Sequence, residues 1–462
     1  MKKNLWMLAM AAFAMTACTS EDVPTAQVTE NDWVSPDGQV LVQLSAEGLP
    51  EPTVSLGRAA ITGTNIVSLD DLGIFALGRG ATSYNANTNN EILLKNVIAK
   101  GTEVTTLDQE LHTTIDEQGN TVPLKRIRLY ESEENKNAGK ASIYYYPIKP
   151  DYNYDFYGYY PRQTEVTYGT DVEVTFEATD GSMDIITGKQ VENAPTMQPG
   201  SLFMNEATEN NTNTEPIDGY NSKYIRSIKY HNWLIDEGKQ TGKEKQRFVP
   251  NIKFEHRTAL LNFFIVANDK QAGAPDTDLP DEDEAYNDQY KATKLRVFDL
   301  YMLNVNTKAK WSVISNEITW ATPQDLEVCK FEENEGDATV WESKDINIVD
   351  ADGNLTYTRP GVLTMIPAEN KNVAKQAGYM LVEPKEDGYQ IKLSVLAPST
   401  DNTANGKIIP EWQQTTLSIP TKLEAGHSYN VYIQLNALQE VNIHAELVGW
   451  IEEEDDIDIP VE

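Results

Sequence analysis

Histidine and cysteine are the side chains in this sequence best suited to catalysis or metal binding, and their spacing favours neither. None of the five histidines stands four residues from another, so the helical pair of a zinc site is missing. Two cysteines, Cys18 and Cys329, are too few for a thiolate zinc site or a disulfide framework. A G-x-S-x-G nucleophile motif is also absent from the sequence. We therefore predict that the chain is not an enzyme and uses no catalytic residue, metal or cofactor.

Two further segments indicate a ligand only weakly. Residues 238–243 are similar to a phosphate-binding loop, but the glycine spacing is one residue short and Glu244 stands where Ser or Thr would ligate Mg²⁺. We interpret them as a basic surface loop. Residues 276–284 cluster carboxylates, which suit Ca²⁺, but they lack the glycine and the ligand spacing of a known calcium loop. A solvated acidic loop is favoured there, and calcium binding stays open.

The aromatic residues between 144 and 161 form a dense cluster in which Tyr predominates. Exposed Tyr rings could stack on sugars or contact a partner protein. Adjacent strands whose rings cover a sheet would give the same pattern. We favour the second interpretation. Cys329, between Val328 and Lys330, has no nucleophile context, and we predict a buried or half-buried small residue.

The charge and length of the chain limit its partners and its organisation. Lys and Arg number 38 against 71 Asp and Glu, so the net charge is 38 − 71 = −33. This charge disfavours nucleic acid and anionic membrane surfaces, both of which need clustered Lys and Arg. At 40% apolar residues the 462-residue chain can bury a sizeable core. Its length indicates two or three domains.

The amino-terminal residues are typical of a secretion signal. Lys2 and Lys3 precede an apolar stretch that is too short to span a bilayer, and Met15-Thr16-Ala17-Cys18 follows. Small residues directly before a cysteine resemble the lipobox of bacterial lipoproteins. The resemblance implies cleavage after residue 17 and attachment of lipid (palmitate) at Cys18. Because no Asp follows the cysteine directly, it also implies sorting to the cell outer membrane. The acidic pair Glu21-Asp22 resembles the surface-export signal of Bacteroidales lipoproteins and implies the cell surface.

The remainder of the chain predicts an all-β protein. Period-two alternation recurs, for example in residues 172–177 and 429–435, and apolar runs such as 260–267 predict strands buried on both faces. Turn signals such as Asp387-Gly388 separate these strands. Many short strands with polar turns favour β-sandwiches, and two of them fit the length. Polar clusters in 190–250 suggest the boundary between them.

Several motifs together resemble the fimbrillin family of Bacteroidales, the subunits of type V pili. In chain order they are the lipobox at Cys18, the extended segment 39–44, Gly57-Arg58-Ala59-Ala60 ahead of 72–76, Tyr157-Gly158-Tyr159-Tyr160-Pro161, Phe254-Glu255-His256, the closing hairpin 423–429 and Val448-Gly449-Trp450. The resemblance covers nearly the whole chain. The loop at 190–250 and the tail after Trp450 depart from the pattern, which leaves the position in a pilus open.

The resemblance implies two tandem transthyretin-like β-sandwich domains. The division is a signal peptide (1–17), a lipidated propeptide (18–58), an N-terminal domain (59–245) and a C-terminal domain (246–462). It also implies that an Arg-specific protease cuts between Arg58 and Ala59. Residues 40–46 would occupy a strand position until then, and their loss would open a groove for a strand of another subunit.

Two stretches near the carboxy-terminus are candidate donor strands, and the sequence leaves open which is donated. Their apolar residues are Val441, Ile443, Leu447 and Trp450 in the first, and Ile457 and Ile459 in the acidic tail. Pro460 removes one backbone donor from the tail.

The implied function is that of a structural, tip or accessory subunit of a cell-surface fimbrium that mediates cell adhesion and biofilm formation. Its partners would be other fimbrial subunits and a host or bacterial surface receptor, and only the lipid of the precursor would contact a membrane. The length slightly favours a tip or accessory subunit over the main shaft. An anchor subunit would keep its lipid and its first strand, so a cleavable Arg58 disfavours that role. The alternative is a surface glycan-binding lipoprotein that does not polymerise and that keeps its acylated Cys18.

Overall fold

The structure is a computed structural model of the 462-residue chain. It describes residues 33–47, 71–85, 90–102, 113–115, 121–148, 151–177, 180–191, 219–239, 249–267, 296–330, 341–349, 355–368, 374, 376–404, 407–419, 422–437 and 440–448. Strands make up most of this part of the chain, so the all-β prediction is confirmed.

Seven strands close into a barrel. In order around the barrel they are β1 (Leu44–Glu47), β11 (Asn251–His256), β10 (Ile186–Gln190), β7 (Tyr154–Tyr160), β2 (Leu72–Gly78), β3 (Ile92–Thr102) and β6 (Lys125–Tyr130). Six of the seven pairings are antiparallel, and the pairing of β1 with β11 is parallel. The amino-terminal strand therefore closes the barrel.

Two larger sheets follow. The first contains, in spatial order, β15 (Cys329–Lys330), β18 (Gln376–Val382), β12 (Ala259–Ala267), β21 (Ser428–Ala437) and β22 (Glu440–Val448). The second contains β20 (Lys407–Ile419), β19 (Tyr389–Ala404), β13 (Arg296–Ser312), β9 (Val172–Phe176) and β8 (Val166–Tyr168), with β14 (Glu317–Glu327) also paired to β13. Inward residues of both sheets share one apolar core, as in a sandwich.

Two short hairpins and two helices complete the described elements. The hairpins are β4 (Thr113–Ile115) with β5 (Thr121–Pro123), and β16 (Glu342–Val349) with β17 (Leu355–Thr364). The helices are α1 (Glu133–Asn137) and α2 (Ser222–Asp236). Asn221 caps α2, since its side chain accepts a hydrogen bond from the Tyr224 amide at 2.7 Å.

A glycine in β7 makes room for an aromatic ring from β11, which lies one strand further around the barrel. A Cβ at Gly158 would come within 2.5 Å of the Phe254 ring of β11. Any larger residue there would displace this ring from the barrel core. The Tyr157-Gly158-Tyr159 motif thus has a packing reason as well as a family resemblance.

The boundary predicted at 245/246 and the tandem transthyretin-like arrangement stay predictions. Strands on the two sides of that boundary pair with each other: β9 with β13, and β10 with β11. A third apolar core also contains residues from both parts of the chain, among them Phe75, Tyr159 and Trp311. The barrel and the sandwich are therefore joined by strand pairing as well as by side-chain packing.

Candidate functional site

The slot that holds β1 is the candidate functional site. It lies between β6 and β11, with Leu44 opposite Ile127 and Ser45 opposite Asn251. The amide of Ser45 donates to the Pro250 carbonyl at 2.9 Å. Because β1 pairs on both sides, its removal would leave β6 and β11 each with an unpaired edge in the barrel.

The residues just before β1 are also integrated into the barrel. The Val42 amide donates to the Tyr144 carbonyl at 2.8 Å, and the Tyr146 amide donates to the Val40 carbonyl at 2.9 Å. Val40, Val42, Leu44 and Ala46 all belong to the buried barrel core. Full burial of a side chain such as Val or Leu contributes roughly 1.5–3 kcal/mol. Residues 40–47 thus fill an apolar groove.

A polar row crosses the outer side of the slot. Ser45 lies between Arg126 and Asn251 in the strand register, and all three residues are buried. Asn251 Nδ2 donates to Glu47 Oε2 at 2.7 Å. Asn251 Oδ1 is buried and finds no hydrogen-bond partner among the described residues. The slot therefore has an apolar floor and a polar outer wall, and β1 satisfies this wall only in part.

Helix α2 covers the segment that leads into β1. Its buried face places Tyr224, Ile225 and Ile228 in the barrel core. From the same helix the Arg226 guanidinium donates to the Gly38 carbonyl, and Lys229 Nζ lies 5.4 Å from the Trp33 ring centroid. The helix lies within the polar stretch 190–250, where its short apolar face is a weak sequence signal. Asn221 as N-cap was the signal that could have located it.

The tyrosine cluster packs into the cores. Tyr146, Tyr154, Tyr157 and Tyr159 are buried, and burial raises the pKa of Tyr154 to about 12, with Asp151 and Glu91 adding to the shift. These rings pack on strands as we interpreted them, but the hydroxyls expected to be solvated are in part buried, as at Tyr146 and Tyr159. The exposed aromatic pair lies elsewhere, on α2: Tyr230 and Trp233 stack with their centroids 5.6 Å apart.

A buried carboxylate fixes the connection between the barrel and the sandwich. Asp184 is buried, its Oδ2 lies 2.8 Å from His256 Nδ1, and its Oδ1 accepts from Thr258 Oγ1 at 2.7 Å. His256 ends β11, and Thr258 directly precedes β12. Sequence reasoning missed this cluster, because Asp184 lies more than seventy residues from His256 and Thr258 and only the strand motif around His256 was noticed.

Asp184→Ala is expected to lower the free energy of unfolding by about 2–3 kcal/mol, because the buried Thr258 hydroxyl and the partly buried His256 ring both lose their carboxylate partner. Urea denaturation of the purified chain measures this. The control is Glu317→Ala, at an exposed carboxylate where β14 begins, for which we expect a change within about 0.5 kcal/mol. Equal stability of the two variants would show that the cluster does not stabilise the junction.

The predicted site residues fall into two groups. Cys18, Arg58, Ala59, Trp450, Ile457, Ile459 and the acidic segment 276–284 lie outside the described residues. Val441, Ile443 and Leu447 lie on β22, which pairs antiparallel with β21 and with no other described strand. One candidate donor strand therefore lies at the edge of a sheet among the described strands, in a different sheet from the slot.

The chemistry of the remaining candidates is limited. Cys329 is half-buried, as predicted, and burial together with the Asp180 charge raises the pKa of its thiol to about 11. Among the described residues no group of three His, Cys, Asp or Glu side chains could hold a metal ion. Nor does any described helix have the length and apolar character to cross a membrane.

Neither a protein-family model nor a curated protein matches the chain. Similar solved structures include a fimbrial protein of Bacteroides vulgatus, with a TM-score of 0.42 and 12% identity over 89% of this chain and 99% of that one. A second is a proposed cell adhesion protein of Bacteroides uniformis, with a TM-score of 0.38 and 13% identity over 89% of this chain and 99% of that one. A third is the fimbrial anchor protein Mfa2 of Porphyromonas gingivalis, with a TM-score of 0.26 and 7% identity over 88% of this chain and 99% of that one.

The solved structures to which the chain is similar thus include fimbrial and cell adhesion proteins of Bacteroidales, at low identity. The TM-scores are below 0.5, so the likeness decides nothing about assembly or adhesion. Those questions depend on the residues of this chain.

Proposed function

We propose that this protein is a subunit of a cell-surface fimbrium that assembles by strand exchange. The precursor is a lipoprotein anchored through Cys18 at the outer membrane. A protease that cuts after Arg58 removes the propeptide. A strand from another subunit then enters the vacated slot by β-augmentation.

The observation that carries this proposal is the position of β1 in the barrel. β1 precedes Arg58 in the chain, whereas the other six barrel strands follow it. A cut after Arg58 therefore separates one strand from the barrel without interrupting any other described element. Its loss would expose two strand edges and an apolar groove, and exposed edges are templates for pairing with another chain.

The alternative Arg positions fit a cleavage site less well. The Arg79 guanidinium forms a bidentate pair with Asp155, with the closer nitrogen–oxygen distance 2.6 Å. Arg162 Nε donates to the Asn96 carbonyl at 3.2 Å. Both side chains are held by the fold, and a cut at either would separate strands of the barrel from one another.

The finer features of the proposal rest on the sequence resemblance. They are the lipid at Cys18, the two tandem transthyretin-like β-sandwich domains, and a role in cell adhesion and biofilm formation. A tip or accessory position is favoured slightly over the shaft because the chain has room for long loops. The donor strand comes from β22 or from the acidic tail of a neighbouring subunit.

One observation favours a second function, that of a glycan-binding lipoprotein that does not polymerise. Tyr230 and Trp233 expose stacked rings on α2, and Lys239 Nζ lies 4.4 Å from the Trp233 ring centroid. Exposed aromatic planes of this kind can stack on sugars. A protein with this function would have no reason to lose β1.

The amino-terminus of the surface protein decides between the two functions. We expect intact mass and amino-terminal sequencing of protein extracted from the cell surface to give a chain that begins at Ala59. Globomycin, which blocks lipoprotein signal cleavage, is the control and should prevent this processing. A surface protein that retains its acylated Cys18 would contradict the loss of β1, and would fit the glycan-binding function or an anchor subunit that keeps its lipid and its first strand.

A further inference from the structure

Strand β22 repeats the sequence of the segment that fills the slot. Residues 42–47 read Val-Gln-Leu-Ser-Ala-Glu, and residues 441–446 read Val-Asn-Ile-His-Ala-Glu. Val, Ala and Glu coincide, Gln is matched by Asn and Leu by Ile, and only the fourth position differs in kind. A match over six residues is informative only if the matching side chains are the ones that contact the slot.

The shared positions are the ones that contact the slot. Val42, Leu44 and Ala46 face the barrel core, and Ala46 has only 1% of its surface exposed. The small residue is required there, because an added side chain would have to displace a packed core. Glu47 accepts from Asn251 on the outer wall. The repeat conserves the three apolar positions and the acid.

Resting on the proposed strand exchange, we propose that residues 441–446 of one subunit occupy the slot of the next in the register and direction of β1. Ile443 then lies opposite Ile127, and Ala445 lies opposite Ile252, in the places of Leu44 and Ala46. Glu446 takes the place of Glu47 opposite Lys253 and accepts from Asn251 Nδ2. Asn251 becomes the residue that selects the donor.

The differing position brings a hydrogen-bond donor to Asn251, and the fully buried Ser45 position has to widen to admit the larger side chain. His444 replaces Ser45, directly beside Asn251 in the parallel register. An imidazole N–H can donate to Asn251 Oδ1, the buried oxygen that β1 leaves without a described partner. A buried acceptor without a partner is costly, so supplying its donor favours the exchanged state.

Backbone pairing favours the same exchange. In its own sheet β22 pairs with β21 alone among the described strands, whereas the slot offers β6 on one side and β11 on the other. In the slot the strand would therefore have backbone hydrogen bonds to two neighbouring strands instead of one.

The acidic tail fits the slot less well. Aligning Ile457 with Leu44 places Ile459 where Ala46 lies, which would overpack the core. The same alignment places Pro460 at Glu47, so the strand loses a backbone N–H and the acid that pairs with Asn251. The structure therefore favours β22 over the tail as the donor.

Disulfide trapping in surface fimbriae tests the register. Lys253→Cys is combined with Glu446→Cys in a Cys329→Ser background, while Cys18 remains for lipidation and leaves with the propeptide. Neighbouring strands are about 4.8 Å apart, within the Cα separation that a disulfide spans. We expect ladders that survive boiling in detergent and disappear on reduction.

Two matched arms test the other arrangements. Lys253→Cys with Asn442→Cys traps the same strand reversed about His444, and Lys253→Cys with Pro460→Cys traps the tail. We expect at least about tenfold less reducible ladder in both, because a wrongly placed strand puts the sulfurs out of bonding range. The proposed register would be overturned if either of these pairs gave more reducible ladder than Lys253→Cys with Glu446→Cys. It would also be overturned if no pair were cross-linked although ladders that dissociate on boiling still formed. Strand exchange itself would stand in both cases. If the unmodified protein forms no ladders at all, the proposed function itself fails.

Discussion

Arg58→Ala is expected to abolish assembly, leaving a folded, lipidated monomer at the cell surface. Without the cut, β1 stays covalently attached and continues to fill the slot between β6 and β11. A tethered strand competes at a very high effective concentration, so a strand from another subunit cannot displace it. Unboiled detergent gels of surface extracts should show a monomer band and no ladder.

The matched variant is Arg58→Lys, which keeps the positive charge but not the guanidinium. It should behave like Arg58→Ala if a protease specific for Arg makes the cut. Wild-type ladders from the Lys variant would assign the effect to charge in a solvated linker. Ladders from Arg58→Ala, or a terminus still found at Ala59 in that variant, would contradict the cleavage switch and favour the glycan-binding alternative.

The strands of the structure were largely predictable from local pattern. The alternating stretch 172–177 contains β9, and the apolar run 260–267 and the stretch 429–435 lie in β12 and β21. The Asp387-Gly388 turn is present, with Gly388 at φ 65°. Period-two alternation is a property of neighbouring residues, so it can be read without knowledge of the partner strand.

Pairing between distant strands was not predictable in the same way. Ser45 pairs with Asn251, and Trp311 of β13 lies opposite Val174 of β9. No local pattern specifies which of many similar strands is the neighbour, because the partner is selected by side-chain packing over the whole core. The candidate slot was therefore suggested by resemblance, while its walls became known from the structure.

The polar groups of the slot show the same limit. The pairing of Asn251 with Glu47 joins residues 204 positions apart, and neither lies in a recognisable motif. Helix α2 was missed for a different reason, since its buried face is short and its surroundings are polar. Tertiary packing against the barrel stabilises a helix that its own sequence indicates only weakly.

Tyr159 is the side chain that most directly joins the barrel to the sandwich. It is fully buried, and its ring lies 5.9 Å from Phe75 of β2 and 5.9 Å from Phe176 of β9. The Trp311 ring of β13 lies 5.5 Å away. The Tyr159 hydroxyl donates to Asn96 Oδ1 at 2.8 Å, and burial raises the pKa of this hydroxyl, so it stays a donor.

Tyr159→Ala is expected to lower the free energy of unfolding by about 3–5 kcal/mol, the range for removing a large buried aromatic side chain. Tyr159→Phe keeps the ring and loses only the hydroxyl, so we expect a loss of about 1–2 kcal/mol. Urea denaturation followed by tryptophan fluorescence measures both, since Trp311 lies beside the substituted ring. Tyr230→Ala, at an exposed position of α2, is the control and should change stability by no more than about 0.5 kcal/mol.

The difference between the two Tyr159 variants separates packing from hydrogen bonding at this junction. If Tyr159→Ala lowers the free energy of unfolding no more than Tyr159→Phe does, the stacked and edge-on ring contacts contribute little. The barrel and the sandwich are then held together by the pairing of β9 with β13. If Tyr159→Ala lowers the free energy of unfolding by the full expected amount, the junction depends on its aromatic core. Strand exchange would then open the slot while Tyr159, on β7 and outside the slot, keeps the two parts of the subunit together.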